Sequence, residues 1–176
     1  MEVGIELLNE SDFDTIVKWI NANDEDFIVQ WAGLTYTYPL TLQQIKNHYH
    51  KGINSFEADV FIYKVIEKTR NEMVGSLHLC RFDRIKKEAI IGRFIIGEER
   101  YRGQGLGTIA LNNVIKAGFE EFALKKIKLN VFDINKAAVR CYEQVGFQKG
   151  DITKDVYKSS SSVMWNNYEM TLNKDD

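Results

Sequence analysis

The sequence predicts a mixed α/β domain built on one mixed sheet. Three observations support this prediction: segments with strand periodicity come first, a strand–helix–strand–helix run follows, and a pair of strands joined by a short loop closes the chain. The chain has 176 residues, 44% of them hydrophobic, which suits one domain with its own core. Because we find no internal repeat and no linker, we expect a single domain over residues 1–176.

The N-terminal third is predicted to hold one strand and two helices. Residues 3–8 alternate apolar and polar side chains, as a half-buried strand does. Ser11 can cap a first helix, and Thr41 can open a second, short one. Between these helices we expect an irregular acidic stretch over 21–26 and an aromatic-rich segment over 27–38.

The rest of the chain alternates between strand and helix patterns. In order, we predict strands over 60–67, 73–82 and 88–97, a helix over 106–122, a strand over 126–132, a helix over 135–145, and closing strands over 151–157 and 163–172. The strand 88–97 is apolar enough to be buried on both faces. Gly146 suits the left-handed residue after a helix, and the serine run 159–162 suits a hairpin loop.

Composition excludes several classes of function. The net charge of −2 gives no general attraction to nucleic acid. The longest apolar run, 89–96, is too short to span a membrane, and the N-terminus lacks a signal-peptide pattern, so we expect a cytoplasmic protein. Cys80 and Cys141 lack the spacing of a disulfide framework or a zinc site, so no metal is expected.

A glycine-rich loop precedes the 106–122 helix. Gly103, Gly105 and Gly107 remove Cβ atoms that would keep backbone N–H groups away from an anion, and the helix N-terminus adds its dipole. Arg102 adds a guanidinium suited to phosphate oxygens. The alternative is that the glycines only make a tight turn and allow close packing. Nucleotide-binding loops match poorly, since the P-loop lysine is absent and Thr108 replaces the third dinucleotide glycine.

A second group of residues lies on the 135–145 helix. Ala138, Tyr142 and Val145 share one face of it at core spacing. Tyr142 is therefore either a core aromatic residue or a phenol that donates a proton to a leaving group. Asn135 is either a simple helix N-cap or a ligand-binding residue.

Together the two segments resemble the GNAT superfamily of N-acetyltransferases, most closely its branch of ribosomal-protein alanine and spermidine acetyltransferases. Arg102-Gly103-Gln104-Gly105-Leu106-Gly107 matches the family's Arg/Gln-x-x-Gly-x-Gly/Ala loop, and Asn135…Ala138…Tyr142…Gly146-Phe147 matches its second motif. The resemblance covers about 60–172 well. It implies a mostly antiparallel sheet of about seven strands with about four helices. The strands ending at Gly97 and starting near Lys126 would splay apart.

The resemblance also implies an activity and a role for each matching residue. The chain would transfer acetyl from acetyl-CoA to a primary amine, without a metal. Tyr142 would act as general acid. The residues implied to bind acetyl-CoA are Ile95, Ile96 and Gly97 for the pantetheine arm, Arg102, Gly103, Gln104, Gly105, Leu106, Gly107 and Thr108 for the pyrophosphate, and Asn135. The family often dimerises, so a homodimer is one expected assembly, with no nucleic-acid or membrane partner.

The acceptor amine and the general base are less well defined by the sequence. The acidic stretch 24–26, followed by Trp31, Tyr36 and Tyr38, suits a cationic amine, or else forms a solvated loop above a small aromatic core. The first alternative favours a small polyamine-like or aminosugar amine, and a protein N-terminus remains a candidate. Glu98-Glu99 stands where the family often has proline, and these acids suit a surface position better than a base.

Two rival functions remain at this point. The first is a non-catalytic acyl-CoA-binding sensor or interaction module, against which Tyr142 argues. The second is a nucleotide-binding domain that uses the glycine loop, against which the missing lysine and glycine argue.

Overall fold

The computed structural model describes residues 2–175, which form one seven-stranded sheet covered by helices on both faces. The strands are β1 (Val3–Leu7), β2 (Val60–Glu67), β3 (Glu72–Asp83), β4 (Glu88–Ile96), β5 (Lys126–Phe132), β6 (Gln148–Lys158) and β7 (Met164–Asn173). The helices are α1 (Phe13–Asn21), α2 (Glu25–Ala32), α3 (Leu42–His48), α4 (Leu106–Glu120) and α5 (Lys136–Gln144). Short 3₁₀ turns precede α1, follow α2 and precede the glycine loop.

The strands lie in the order β1-β2-β3-β4-β5-β7-β6. All neighbours pair antiparallel except β4 and β5, which are parallel. The first four strands therefore follow chain order, and the last three form a second antiparallel group. The predicted fold class, with seven mostly antiparallel strands, is confirmed.

Two cores lie on the two faces of the sheet, as the alternation along β2 shows. Phe61 and Tyr63 belong to the cluster that packs with α4 and α5, whereas Val60 and Ile62 belong to the cluster that packs with α1, α2 and α3. Alternate residues of a strand face opposite sides of a sheet, so both faces of β2 are apolar and buried. The glycine loop and the acidic stretch consequently start on opposite faces of the same sheet.

The N-terminal third departs most from prediction. Five helices are present within residues 2–175 rather than about four, because α2 occupies the stretch expected to be irregular and aromatic-rich. Asp24 caps α2 by accepting a hydrogen bond from the backbone N–H of Phe27 at 2.9 Å. The predicted start of α1 at Ser11 is also wrong, since Ser11 lies in a 3₁₀ turn and α1 begins at Phe13.

Elsewhere the local signals were accurate. The bounds of β2 and β5 are as predicted, and the Thr41 hydroxyl caps α3 through the N–H of Gln44 at 3.2 Å. Gly146 has φ of 100°, the left-handed conformation expected after α5. The prediction that β4 is buried on both faces is wrong, since its buried residues alternate with half-buried ones. No helix in residues 2–175 is both long enough and apolar enough to cross a bilayer.

Candidate active site

A cleft of about 600 Å³ opens where β4 and β5 separate. The two strands pair only at Glu88–Lys126, Ala89–Ile127 and Ile90–Lys128, and beyond these pairs they diverge. Residues 91–96 of β4 line the opening. The splay predicted between these strands is therefore present, and it leaves backbone polar groups of β4 without a strand partner on the β5 side.

Ten of the twelve residues predicted from the sequence to form the site line this cleft. They are Ile95, Ile96, Arg102, Gly103, Gly105, Leu106, Gly107, Thr108, Asn135 and Tyr142. Gly97 and Gln104 are not among the lining residues. The fold thus brings the glycine loop and the α5 motif to one opening, although about thirty positions separate them in the sequence.

The glycine loop has the backbone conformation that its sequence requires. Gly103 and Gly105 have φ of 72° and 81°, in the left-handed region where other residues are strained. Gly105 is also the N-cap residue of α4, so the first N–H groups of this 15-residue helix face outward from its start. Gly107 has a different role, because a Cβ there would lie 3.2 Å from Cζ of Phe94. The loop can therefore bind an anion with main-chain N–H groups.

Arg102 makes contacts that the sequence did not predict. Its Nε donates to the carbonyl oxygen of Ile96 at 2.9 Å, and Nη2 donates to that of Gly97 at 3.2 Å. Nη1 lies 3.4 Å from a carboxylate oxygen of Glu99. The guanidinium therefore holds the carbonyl groups at the end of β4, beyond the point where β4 stops pairing with β5.

Gly97 and Glu98 are held by Trp19 of α1. The indole ring packs directly on Gly97, where an added Cβ would lie 1.9 Å from Cδ2 of Trp19. The indole Nε1 donates to Oε1 of Glu98 at 3.0 Å. Glu98 is therefore half-buried and occupied by a structural contact, which differs from the surface position expected for it, whereas Glu99 is exposed and pairs with Arg102 as expected for a surface acid.

Tyr142 projects from α5 into the cleft wall and is 8% exposed. Its ring lies 6.4 Å from that of Phe94 and 6.1 Å from that of Phe147. Burial raises the pKa of the phenol, so that it stays protonated at neutral pH. Asn135 also lines the cleft while its side-chain oxygen caps α5, accepting from the N–H of Ala138 at 3.1 Å. Both residues thus combine a structural contact with a position at the cleft.

The start of α4 and the middle of α5 touch through side chains that the sequence did not single out. Cys141 Sγ lies 3.6 Å from Oγ1 of Thr108, and the same hydroxyl donates to Gln144 at 3.4 Å. All three residues line the cleft, so this contact sets the distance between the glycine loop and Tyr142.

Helix α2 forms the opposite wall of the cleft. Phe27, Gln30 and Trp31 line it, and Nε1 of Trp31 donates to the carbonyl oxygen of Arg93 in β4 at 3.0 Å. Of these, only Trp31 was singled out from the sequence. The α2 residues were missed because the helix itself was missed, and its eight residues show no capping box that would have revealed it.

The acidic stretch does not enter the cleft. Asp24 caps α2, and Asp26 accepts hydrogen bonds from the Tyr157 hydroxyl at 2.9 Å and from the Ser160 hydroxyl at 2.6 Å. These hydrogen bonds lower the pKa of Asp26, and the bond from the Ser160 hydroxyl has the largest effect. Glu25 is exposed on the surface. The stretch therefore joins the closing hairpin to α2. It is neither the solvated loop nor the amine-binding segment that the sequence suggested.

Of the aromatic residues that follow the acidic stretch, two lie near the cleft and one does not. Tyr36 is buried and stacks on Trp31, with 5.9 Å between the ring centroids. Tyr38 is 43% exposed on the surface and does not line the cleft. Within residues 2–175, no three His, Cys, Asp or Glu side chains are grouped as metal ligands.

Comparison with known proteins gives a consistent family. Residues 3–148 match the family model of the acetyltransferase (GNAT) domain. The chain is 29% identical over 102 residues to the SPbeta prophage-derived uncharacterized N-acetyltransferase YokL of Bacillus subtilis (strain 168), a match that covers 57% of this chain and 56% of that protein. It is 41% identical over 58 residues to the spermine/spermidine N(1)-acetyltransferase of the same organism, covering 33% of this chain and 38% of that protein. The chain thus matches little more than half the length of the first of these curated relatives and less than half of the second.

A solved structure resembles the whole fold. The crystal structure of spermidine N-acetyltransferase from Vibrio cholerae in complex with CoA and spermine superposes with a TM-score of 0.81. The superposition covers 98% of this chain and 96% of that one, at 18% sequence identity. At this identity the likeness concerns the fold.

Proposed function

Because the chain belongs to the GNAT acetyltransferase family, we propose that it transfers acetyl from acetyl-CoA to a primary amine within the cleft between β4 and β5. One observation carries this proposal: the glycine loop, the open edge of β4 and the phenol of Tyr142 all face one cleft of about 600 Å³. That cleft lies in the size range of small-molecule sites.

The residues present fit acetyl-CoA. Main-chain N–H groups from Gly103 to Thr108, together with the start of α4, would bind the pyrophosphate. Ile95 and Ile96 would offer backbone groups of the open β4 edge to the amides of the pantetheine arm, with Gly97 shaping the end of that edge. Asn135 would contact the same cofactor from α5. Arg102 would support this site mainly by holding the carbonyls at the end of β4.

Tyr142 would supply the proton that the reaction needs at sulfur. Acetyl-CoA provides an acetyl group activated as a thioester. A neutral amine forms the new carbon–nitrogen bond as the carbon–sulfur bond breaks, and the departing thiolate takes the phenolic proton of Tyr142. The raised pKa of Tyr142 keeps this proton available at neutral pH. The amine gives its own proton to water, since the described residues lining the cleft include no aspartate, glutamate or histidine, and water returns a proton to the Tyr142 phenolate.

The acceptor class and assembly are further parts of the proposal. A polyamine-like amine, an aminosugar amine and a protein N-terminus are the candidates, and the relatives that act on spermidine or spermine support an amine acceptor. We expect a cytoplasmic enzyme, in which a homodimer would be detected by light scattering of the purified chain. The alternative function is a sensor that binds acyl-CoA without turnover.

The test pairs acetyl-CoA titration by calorimetry with thiol release over an amine panel, for wild type and Tyr142→Phe. The described residues offer the Tyr142 hydroxyl no hydrogen-bond partner, so its removal should leave folding and acetyl-CoA affinity within about threefold of wild type. Loss of a general acid should lower kcat by about 10²–10⁴-fold. Tyr38→Phe, on the exposed surface, is the matched control and should match wild type.

Three outcomes contradict the proposal in different ways. Absence of acetyl-CoA binding would reject the cofactor and the family activity together. Acetyl-CoA binding without turnover of any amine would favour the sensor. Full activity of Tyr142→Phe would leave the transfer reaction in place and remove the role of the phenol.

A further inference from the structure

Arg93 occupies a bulge in the middle of β4. Gly92 pairs with His78 and Ile95 pairs with Ser76, so two residues of β4 oppose one of β3 at this point. Arg93 has φ of 46°, a conformation that residues other than glycine seldom adopt. The bulge turns its side chain to the face of the sheet that packs with α1–α3, whereas the glycine loop starts on the other face.

The Arg93 guanidinium is surrounded by uncharged groups. Nη1 lies 3.3 Å from the Tyr49 hydroxyl and 3.5 Å from Nδ1 of His78, and Nη2 lies 3.2 Å from Oγ1 of Thr35 and 3.5 Å from Nε2 of His48. Burial, and then the charge of Arg93, lower the pKa of both histidines, so both rings are neutral at pH 7. The buried Nε has no partner at all.

The cation therefore lacks an anion. The ion pairs of residues 2–175 all involve other basic side chains. Half-buried charges in proteins are ordinarily paired, because removing them from water is costly. Thr35 and His48 are exposed, so the Nη2 edge is the side from which an anion can approach.

Arg93 also belongs to the cleft. Arg93 lines the opening together with Trp31, whose indole Nε1 donates to the carbonyl oxygen of Arg93. Trp31 stacks on Tyr36, and the Tyr36 ring centroid lies 5.4 Å from the guanidinium carbon of Arg93. One layer of aromatic side chains thus separates the cation from the cleft. Within the described chain, the charged residues lining the cleft are three arginines, at 93, 102 and 140, with no carboxylate among them. A wall without carboxylates offers no ion pair to an acceptor that carries a second positive charge.

We propose that Arg93, with Thr35 at its exposed edge, binds the carboxylate of the acceptor, and that the acceptor is an amino-acid-like compound whose amine enters the cleft beside Trp31. The Nη2 group at the exposed edge would donate a charge-assisted hydrogen bond to a carboxylate oxygen, and the Thr35 hydroxyl would add a second donor. This inference rests on the proposed acetyl transfer and narrows its acceptor from amines in general to amines that carry a carboxylate.

The experiment compares acceptors that differ only in one end group. Each ω-amino carboxylate of two to six carbons is assayed beside its carboxamide and the diamine of the same length, with acetyl-CoA as donor. At the matching length, kcat/KM for the carboxylate should exceed that of both partners by at least about tenfold, as expected when a specific charged contact is lost. The difference should lie mainly in KM, since the carboxylate is remote from the reacting atoms.

Two variants and one control assign the effect to the guanidinium. Arg93→Gln should lower kcat/KM for the carboxylate about tenfold or more and leave the carboxamide within about threefold, while Arg93→Lys should give an intermediate value. Arg84→Gln is the control, because Arg84 is an exposed arginine that stacks on the ring of Phe56 outside the cleft. It should change kcat/KM for neither the carboxylate nor the carboxamide. Thermal melting and acetyl-CoA titration establish that each variant is folded and binds the donor.

A binding measurement keeps the inference testable apart from turnover. Butanoate, which has no amine, should bind saturably to wild type and not to Arg93→Gln, with a change in tryptophan fluorescence because Trp31 contacts Arg93. The inference is overturned if diamines or carboxamides react as well as carboxylates, if Arg93→Gln lowers all three equally, or if butanoate binds both proteins alike. In each of these cases acetyl-CoA binding and acetylation of some amine would still support the proposed function, whereas loss of acetyl-CoA binding would reject that function itself.

Discussion

Replacing Gly97 with alanine should disturb the contact between α1 and the end of β4. The added Cβ would lie 1.9, 2.3 and 2.4 Å from three atoms of the Trp19 indole. Trp19 is 5% exposed, and Nε1 donates to Glu98, so the ring has little room to move without losing that bond. The Gly97 N–H is tied to the carbonyl oxygen of Val74 at 2.9 Å, which holds the backbone as well. Either the ring or the strand end must shift by more than 1 Å to reach an ordinary contact, about 3.5 Å between carbon atoms.

The size of the effect follows from these contacts. Forcing an extra carbon into a packed core costs about 1–3 kcal/mol. Loss of the indole–carboxylate hydrogen bond adds about 1 kcal/mol. The free energy of unfolding should therefore fall by about 2–4 kcal/mol, and since a domain of this size loses about 2–4 °C of Tm per kcal/mol, Tm should fall by about 5–15 °C.

Gly92→Ala, in β4 five residues before Gly97, is the matched control. A Cβ there meets nothing within 4 Å, and Gly92 is not in the left-handed region. Removing a glycine from the unfolded chain then gives a change between zero and a gain of about 1 kcal/mol. Urea unfolding and thermal melting compare the stability of the two variants with that of wild type. The double variant Trp19→Leu, Gly97→Ala should lose less stability than the sum of the two single variants, because the two residues are in contact. A Gly97→Ala protein that melts within 2 °C of wild type, about the smallest shift expected for 1 kcal/mol, would refute this account of the packing.

Two further predictions concern pH and the closing hairpin. Burial lowers the pKa of His78 well below its ordinary value near 6.5, so the ring stays unprotonated in the folded state when the unfolded chain already binds the proton. The free energy of unfolding should therefore fall as the pH decreases below about 6.5, by up to about 1.4 kcal/mol per pH unit. Urea titrations at pH 7.0 and 5.5 measure this loss, and an equal loss in His78→Asn would contradict it. Asp26→Ala removes the acceptor for Tyr157 and Ser160 and should cost about 1–2 kcal/mol, as measured by thermal melting, whereas Glu25→Ala on the exposed surface should cost less than about 0.5 kcal/mol.

Signals that act within a few residues predicted local structure well. Thr41 and Asn135 cap α3 and α5 as expected, because a cap depends only on its own helix. Gly146 ends α5 in the left-handed conformation for the same reason. Helix α2 was missed because its eight residues are too few for a strong period, and four of them are bulky apolar residues that also suit an irregular core segment.

Contacts between distant parts of the chain were not predictable from the sequence pattern. Trp19 and Gly97 are 78 positions apart, and nothing near either one signals their contact. Arg102 could be assigned a phosphate from its residue type, whereas its bonds to the β4 carbonyls depend on where the strand ends in space. The bulge that turns Arg93 toward Thr35 is also a property of the β3–β4 register, which the sequence does not display.

The divergence of β4 and β5 bears on how the protein folds. Three of the six strand pairings, β2–β3, β3–β4 and β6–β7, are hairpins, whereas β1–β2 and β5–β7 join more distant segments within the first four strands and within the last three. The pairing that links the two groups comprises three residue pairs. Because closure of long loops slows folding, the hairpins of each group can form before the two groups join. Joining is then a late docking step in which α4, lying between the groups in sequence, brings Asn113 against the backbone of Val3 in the first strand. Substitutions at that docking surface should speed unfolding more than they slow folding.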